Sequence, residues 1–422
     1  MFKDLIEKNR WYVLIGAILI QLALGSLYSW GTLTVFVSPY LNEAPAVTVF
    51  VFGLAIIAFA ITMTQAGILA KKFGPQKTVL IGGVVIAVGV FASAGMTNLA
   101  GLMITYGLLF GLGIGIAYVV PIAVANKWFP DKKGLITGLA VTGFGAGSFI
   151  FNYLIRFFAP LGIPVMFILL GIFYTIFLIG GALFMYDPDE GYKPDGWEPT
   201  LVAKDSLVST KQWERIEMVK TNQFWFLWGS YFLSAMCGLM LIGTYGSFAT
   251  SDSSYLIDSA DLVVLTGSIG ALFNGAGRIV WGKLADQINF RKSMVIIMSI
   301  QAVILFIYFS TSASVAMYFL LTGLIMFCFG GNLSLFPTAT SDMYGTENLG
   351  NNYGVLFSAY GVAGFIGAVA VNQIVLLFGG YLTLYIFLGI LSAGAAVLAF
   401  LVRPFESGLV EEKSEAKEPS AE

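Results

Sequence analysis

Twelve long apolar stretches follow one another along this chain, and they constrain its fold more than any other feature. A helix needs roughly 20 mostly apolar residues to cross the hydrocarbon layer of a bilayer. Of the 422 residues, 58% are hydrophobic and only 11% are charged, which is too little charge to cover a soluble domain of this size. The sequence therefore predicts an all-α membrane protein with twelve transmembrane helices.

The predicted spans form two sets of six. The first set covers residues 11–34, 47–70, 78–96, 100–126, 135–158 and 163–186, and the second covers 224–249, 261–281, 293–311, 315–337, 353–377 and 381–402. This division predicts an N-terminal half over 1–186, a middle loop over 187–222, a C-terminal half over 223–403 and a charged tail over 404–422.

The positions of Lys and Arg predict the orientation, because short cytoplasmic loops are rich in both. If both termini and the middle loop are cytoplasmic, all bases except Arg156 and Arg278 lie on that side. The loops on the other side carry no Lys. We therefore expect a multi-pass protein of the cell (inner) membrane with both termini in the cytoplasm.

A short basic loop recurs at the same place in each half. It reads Gly67-Ile-Leu-Ala-Lys71-Lys-Phe-Gly74-Pro-Gln-Lys after the second span and Gly282-Lys-Leu-Ala-Asp286-Gln-Ile-Asn-Phe-Arg291-Lys after the eighth. Two six-span halves with matching loops of this kind resemble the major facilitator superfamily. The resemblance implies two parallel repeats, that is, two six-helix halves around a central cavity.

The same resemblance assigns a role in conformational switching to residues of these loops, namely Gly67, Gly74, Gly282, Asp286 and Arg291. The family pattern has an acid in the loop, and Lys71 replaces it in the first copy. If the acid stabilises one end state by meeting a helix N-terminus, Asp286 retains that role and the first half does not.

Arg278 is the residue that the topology does not explain. It lies inside the eighth predicted span, with Asn274 four residues earlier on the same helix face. Gly275 and Gly277 narrow the helix beside it. A charge within a membrane is costly and usually functional, and arginine cannot lose its charge. Arg156, in contrast, lies near a helix end, where its long side chain can reach the lipid headgroups.

The acids offer no counter-ion within the spans, because all 24 lie in the tails, in the loops or at helix ends. The simplest partner for Arg278 is therefore an anionic substrate, such as a carboxylate held by two guanidinium N–H groups. The alternative is a structural arginine that binds backbone carbonyls or an acid of an inner loop.

Polar and aromatic residues in other spans can complete a pocket around Arg278. Candidate substrate-binding residues, in addition to Asn274, are Tyr28, Tyr118, Phe329, Asn332 and Tyr360. Each one alone is often only a packing residue. Together with one cation they would form a small, mostly apolar site with a few polar groups.

Several function classes are disfavoured. The chain has no histidine, no deep pair of carboxylates and no cluster of metal ligands, so we expect no enzyme, no cofactor and no metal. Cys237 and Cys328 both lie in apolar runs and are expected to be core residues. A net charge of -2 gives no indication of a nucleic-acid partner.

Two further segments carry a narrower resemblance. One is Gly115-Ile-Ala-Tyr118, followed by Asn126-Lys-Trp-Phe-Pro-Asp131; the other is Phe336-Pro337, followed by Ser341-Asp342 and by Asn352-Tyr353-Gly354. They resemble the oxalate/formate antiporter family and are similar to bacterial monocarboxylate (lactate/pyruvate) transporters. In that family an arginine of the eighth span binds the substrate carboxylate, and it corresponds to Arg278. The resemblance also places Asn274 and Tyr118 in the pocket.

One departure from the oxalate branch bears on the substrate. That branch has a Lys in the eleventh span as a second cation, and this chain has Tyr360 at the corresponding place. One cation suits one carboxylate, which favours lactate or pyruvate over oxalate. A second departure is Asn274, where animal monocarboxylate carriers have an Asp.

The sequence thus predicts a secondary transporter of small monocarboxylates that works by alternating access, as a monomer in the lipid bilayer. Coupling to a proton is expected, carried either by the substrate or by loop-side acids such as Asp258 and Asp261, and symport, exchange and facilitation all stay open. An oxalate/formate-type exchanger is the alternative within the class. From another class, a carboxylate sensor that does not transport is also consistent with the sequence.

Overall fold

A computed structural model describes residues 2–189, 191–194, 211–251, 260–308, 314–345, 348–378 and 380–403 of the chain. The predicted tail over 404–422 and Asp258 lie outside the described residues.

Twelve described helices are long and apolar enough to cross a membrane. They are α1 (Trp11–Leu41), α2 (Pro45–Phe73), α3 (Pro75–Ser93), α4 (Leu99–Trp128), α5 (Ile136–Leu161), α6 (Ile163–Ala182), α7 (Asn222–Ala249), α8 (Ala260–Ile288), α9 (Phe290–Ile307), α10 (Val315–Tyr344), α11 (Leu349–Leu377) and α12 (Tyr381–Leu401). Short helices at Phe2–Lys8 and Arg215–Met218 precede α1 and α7. No β-strand occurs among the described residues.

This architecture confirms the predicted fold class, and the differences lie in the helix ends. The tenth span was predicted to end at Pro337, but α10 continues to Tyr344 with the proline inside it. Several other helix ends also differ from the predicted bounds, and two stretches depart from regular α-helix. Ser26–Ser29 forms a 3₁₀ turn within α1, Met103–Phe110 is a π-helical segment of α4, and α3 ends at Ser93 rather than at 96.

Glycines spaced four residues apart let helices pack backbone to backbone. A Cβ atom added at Gly111 or Gly115 of α4 would collide with the backbone of α2, at Ala55 and Phe59 respectively, and one at Gly107 would be in tight contact with Val51. Small residues at such contacts are the usual means of close helix approach in membranes, where lipid is as apolar as the side chains. The glycine stripe of α4 is therefore a packing surface.

The most extensive contacts between the two halves are those of α2 with α11 and of α5 with α8. The α5–α8 pair is close because Gly145 of α5 lies against Asn274 and Arg278 of α8. The loops that contain Lys71, Lys127 and Arg291 lie at one end of the bundle, which we call the basic end. The end where α5 finishes and α8 begins is called the opposite end.

The repeated loop has the same backbone conformation in both halves. Gly74 has φ 81° and ψ 159°, and Asn289, at the corresponding position, has φ 75° and ψ 157°. The positive φ suits glycine, and asparagine tolerates it better than most residues. Two positions further on, Gln76 donates to the carbonyl of Ala182 near the end of α6, and Arg291 donates to the carbonyl of Phe400 near the end of α12. The internal repeat predicted from sequence therefore extends to the bonds that anchor the last helix of each half.

We expect Gly111→Ala to lower the thermal stability of the detergent-solubilised protein. The added methyl group has no room against Ala55, and overpacking of this kind costs about 1–3 kcal/mol. The matched control is Gly180→Ala, because a Cβ atom at Gly180 has no other atom within 4 Å. A thermal melt in which both variants unfold at the same temperature would contradict the assigned α2–α4 contact.

Candidate functional site

Arg278 lies on α8 with only 3% of its surface exposed. Its Nη1 donates to the carbonyl of Val141 on α5 at 2.9 Å, and Nε and Nη2 both donate to Oδ1 of Asn274 at 3.3 and 3.2 Å. The guanidinium carbon also lies 5.5 Å from the ring centre of Phe144. These contacts hold the cation in place without neutralising it.

Asn274 orients the arginine. Its Nδ2 donates to the carbonyl of Met326 on α10 at 3.2 Å, so the amide is fixed with Oδ1 toward Arg278. The predicted four-residue spacing on one helix face is therefore realised as a hydrogen-bonded pair. Gly277, which the sequence suggested would leave room for a partner, packs against the backbone of Phe327 instead. The room beside the guanidinium comes from Gly145 on α5, where a Cβ atom would crowd Asn274 Oδ1 and Arg278 Nε.

No carboxylate among the described residues lies within 4.0 Å of the Arg278 guanidinium. The described ion pairs are all at the ends of the helices or in the loops, such as the bidentate pair of Arg10 with Asp131 at 2.6 and 2.8 Å. That pair lowers the pKa of Asp131 below its usual range, because the Arg10 guanidinium donates directly to the carboxylate. Arg278 has no equivalent partner in the described part of the chain.

Tyr28 and Tyr118 both pack against Phe144, whose ring centre lies 5.5 Å from the guanidinium carbon of Arg278. The hydroxyls of Tyr28 and Tyr360 are 2.7 Å apart and link α1 to α11. Tyr118 packs edge-on against Phe144 at 5.0 Å between ring centres. The structure thus brings three of the predicted tyrosines together around the arginine.

The other two predicted pocket residues differ in their placement. Phe329 packs against the rings of Tyr28 and Tyr360 at 5.7 and 6.3 Å between ring centres, so it belongs to the same aromatic cluster. Asn332 is fully buried and donates to Ser234 on α7 at 2.5 Å, and Ser234 donates in turn to Gln301 on α9. Within the described residues, no hydrogen bond joins Asn332 to Arg278.

A cavity of about 590 Å³ lies between the halves and reaches the basic end of the bundle. Tyr118, Val141 and Tyr353 line its inner part, and Lys71 and Asn351 line it near the helix ends. Its lining contains one base and no acid. Val141 both lines the cavity and accepts a hydrogen bond from Arg278, so one residue separates the cavity from the buried guanidinium.

The halves are held together at the opposite end. Arg156 of α5 forms an ion pair with Asp261 of α8, with Nε and Oδ1 2.5 Å apart. The sequence had suggested that Arg156 extends to the lipid headgroups; the structure instead gives it a carboxylate from the other half, because α5 and α8 run side by side there. The molecule therefore presents an open cavity at one end and a closed contact at the other.

The five residues predicted to act in conformational switching all lie near the basic end. Gly67 lines the cavity, Gly74 adopts the left-handed turn, and Arg291 holds the end of α12. Asp286 is exposed and makes no hydrogen bond or ion pair with the described residues, and a Cβ atom at Gly282 would make only an ordinary contact with Ser334. Their switching role stays a prediction.

Several site residues escaped the sequence reasoning. Phe144 contacts Arg278, Tyr28 and Tyr118, yet it is one of 36 phenylalanines and nothing in its surroundings sets it apart. The carbonyl of Val141 could not be foreseen because every residue has one. Tyr353 was visible in the Asn352-Tyr353-Gly354 segment, and its place within a span was the available signal.

Known proteins resemble this chain along most of its length. A family model described as the Major Facilitator Superfamily matches residues 15–368 and, in a second overlapping match, residues 259–422. The oxalate:formate antiporter of Oxalobacter formigenes is 30% identical over 405 residues, which cover 94% of this chain and 92% of that protein.

Two other relatives and one solved structure agree with these matches. The uncharacterised MFS-type transporter YhjX of Escherichia coli is 30% identical over 84% of this chain and 86% of its own. Apicoplast pyruvate carrier 1 of Toxoplasma gondii is 25% identical, covering 84% of this chain and 82% of that protein. A crystal structure of a variant of the nucleoside transporter NupG aligns with a TM-score of 0.65 at 14% identity, over 92% of this chain and 98% of that one, and shows the shared fold.

We expect Asn274→Asp to weaken binding of a small carboxylate at least tenfold, the factor that corresponds to about 1.4 kcal/mol. The new carboxylate would neutralise Arg278 from the position of Oδ1, so that an anionic ligand would lose its counter-charge. The measurement is the ligand-dependent rise in melting temperature of the purified protein with lactate and with pyruvate. Asn222→Asp, at the exposed start of α7, is the matched control. Unchanged stabilisation by the ligand in Asn274→Asp would contradict the assigned site.

Proposed function

The chain belongs to the major facilitator superfamily, and on that premise we propose that it carries small monocarboxylate anions of the lactate or pyruvate type by alternating access. The chain is a multi-pass membrane transporter of this family. We propose its substrate, its coupling to a proton and its orientation in the membrane. We place it in the cell (inner) membrane, as a monomer, with the basic end and both termini on the cytoplasmic side, because that arrangement follows the distribution of Lys and Arg.

The observation that carries the proposal is a buried guanidinium with no described carboxylate partner, beside a cavity lined by one base and no acid. An uncompensated charge in a low-dielectric interior is unfavourable. A carboxylate that enters from the cavity would neutralise Arg278 through charge-assisted hydrogen bonds. The fixed Asn274 and the surrounding tyrosines supply further polar groups, while Phe144 and Phe329 supply the apolar wall.

The number of cations supports a monoanion. Tyr360 occupies the place where the oxalate branch of the family has a second cation, and its hydroxyl bonds to Tyr28. A dianion would leave one negative charge without a partner in the site. Oxalate/formate exchange is the second candidate, favoured by the 30% identity to the Oxalobacter antiporter over 94% of the chain.

Alternating access follows from the asymmetry of the contacts between the halves. In the present state the cavity gives access from the basic end, and the Arg156–Asp261 pair joins α5 to α8 at the opposite end. We propose that the halves rock about the site, which opens the opposite end as the cavity closes. Substrate that neutralises Arg278 lowers the free energy of the closed intermediate, since the cation is then paired when it is cut off from water.

We also propose that transport is coupled to a proton. The described acids lie away from Arg278, so a proton would enter with the substrate or through an acid nearer the surface. Asp261 is the described candidate, and it is engaged by Arg156. Recording the internal pH during uptake separates proton symport from exchange of one monocarboxylate for another.

Uptake of labelled lactate, pyruvate, formate and oxalate into proteoliposomes tests the proposal. We expect lactate or pyruvate to be transported in preference to oxalate, and Arg278→Ala to lose transport by about two orders of magnitude, because the charge-assisted bonds are worth roughly 1.5–3 kcal/mol each. Arg278→Lys should lose nearly as much, since a lysine cannot bind a carboxylate with two parallel N–H groups.

Arg215→Ala is the matched control for this experiment, because Arg215 is an exposed base on the short helix before α7. It should transport like the parent chain. Full activity in Arg278→Ala would exclude the proposed site, and preference for oxalate would favour the exchanger. Binding of lactate without any uptake would support a sensor.

A gain-of-function variant tests the argument from charge. We expect Tyr360→Lys to shift the ratio of oxalate to lactate uptake toward oxalate by about tenfold, which corresponds to about 1.4 kcal/mol, because a second cation then faces the second carboxylate. Tyr360→Phe removes the hydroxyl without adding charge and is the control. If both variants change the ratio equally, the second charge does not set the selectivity.

A further inference from the structure

The contact between α5 and α8 carries polar side chains at intervals from the site to the opposite end. The residue numbers rise along α5 as they fall along α8, as expected for antiparallel neighbours. The facing pairs are Val141 with Arg278, Gly145 with Asn274, Asn152 with Gly267, and Arg156 with Asp261. We call this surface the α5–α8 seam.

The seam is long enough to connect the buried site with the membrane surface. Val141 and Arg156 are separated by about 22 Å along α5, at about 1.5 Å per residue. Half of the hydrocarbon core is roughly 15 Å thick. Ser148 and Asn152 occupy the same face of α5 between these two residues, and both are buried.

Asn152 is the residue that packing does not explain. It is fully buried, and neither its Nδ2 nor its Oδ1 has a hydrogen-bond partner among the described residues. Its Nδ2 lies so close to Gly267 that a Cβ atom there would be 2.7 Å away. Ser268, the next residue of α8, is also fully buried with an unpartnered hydroxyl. A buried amide without partners is destabilising, and an apolar residue of similar size would avoid that cost.

Under the proposed alternating access the α5–α8 seam opens at the opposite end. From the burial of Asn152 and its unpartnered amide we propose that this residue binds the substrate carboxylate on the path that is then exposed. The inference rests on the proposed function and extends it with a second binding position. The open seam would expose Arg156, released from Asp261, then Asn152, and then Asn274 with Arg278. The Nδ2 group of Asn152 can donate hydrogen bonds to a carboxylate, and because this amide is neutral it would bind the anion between the two arginines less tightly than they do.

The two groups act in opposite directions on the closed seam. The Arg156–Asp261 pair stabilises it, and the unpartnered Asn152 amide destabilises it. The ion pair favours the closed seam and the unpartnered amide favours the open seam. The free energies of the two states can therefore be close enough for the seam to open and close. Asn152 lies between the site and the Arg156–Asp261 pair and does not line the inner cavity, so the proposal assigns it to access from the opposite end.

The test compares the KM for labelled lactate on the two faces of the protein. Uptake into intact cells reports the opposite end, and uptake into inverted membrane vesicles reports the basic end. We expect Asn152→Ala to raise the KM on the opposite face about tenfold, as for the loss of one hydrogen bond to a charged group, and to leave the KM on the basic face within about twofold.

Tyr153→Phe is the matched control. Tyr153 is the next residue of α5, its side chain points away from the bundle with 46% of its surface exposed, and the change also removes one polar group. It should leave both KM values unchanged. An equal rise of both KM values in Asn152→Ala would show a structural role for Asn152, and an unchanged KM on the opposite face would likewise overturn the proposal.

Accessibility of position 152 provides a test that does not depend on transport. We expect the Asn152→Cys variant to react with a membrane-impermeant thiol reagent from the opposite face, and to react severalfold faster when Asp261→Asn is added. Lactate should slow the reaction. The parent chain is the blank, because Cys237 and Cys328 are both buried.

The two experiments separate the two proposals. Labelling of position 152 from the opposite face, in a protein that takes up no monocarboxylate, would retain the path and overturn the proposed substrate. Transport of lactate with no labelling of position 152 from that face would retain the function and overturn the path. Labelling that lactate does not slow would overturn the binding role of Asn152.

Discussion

The permanent charge of Arg278, buried among membrane-spanning helices, is the constraint on which the rest of the site depends. An arginine cannot become neutral, so its surroundings must provide either a counter-ion or enough hydrogen bonds. The structure provides the carbonyl of Val141 and the amide of Asn274, which together accept three hydrogen bonds from the guanidinium and leave its charge. The hydrogen bonds let the protein fold with the arginine buried, and binding of an anion would lower the free energy of the site further.

Close helix packing makes this arrangement possible. Arg278 reaches the carbonyl of Val141 because Gly145 lets α5 approach α8, and α4 and α2 are joined in the same way by glycines such as Gly111. In lipid, apolar side chains gain little by association, so the close backbone contacts of small residues supply much of the specificity. The same contacts can slide, which suits a protein whose halves must move.

The two halves share a repeat, and the residues that differ between them are those to which we assign anion binding. Gly74 and Asn289 have nearly the same φ and ψ, and Gln76 and Arg291 anchor the last helix of each half. The buried arginine, Arg278, lies in the second half. Lys71 in the first half occupies the position of the repeat that corresponds to Asp286 in the second half. The lysine lines the cavity, so the exchange of an acid for a base favours anions at the basic end.

The sequence alone determined the twelve spans, the repeat and the isolation of Arg278, because each depends on composition and spacing along the chain. It also paired Arg278 with Asn274, since residues four apart share a helix face. Only the tertiary structure could bring Phe144 and Val141 to the arginine, attach Asn332 to a network on α7 and α9, and join Arg156 to Asp261. Those contacts link residues more than 60 positions apart and depend on which helices become neighbours. That choice is made by the shapes of whole helix surfaces, and no local pattern in the sequence records it.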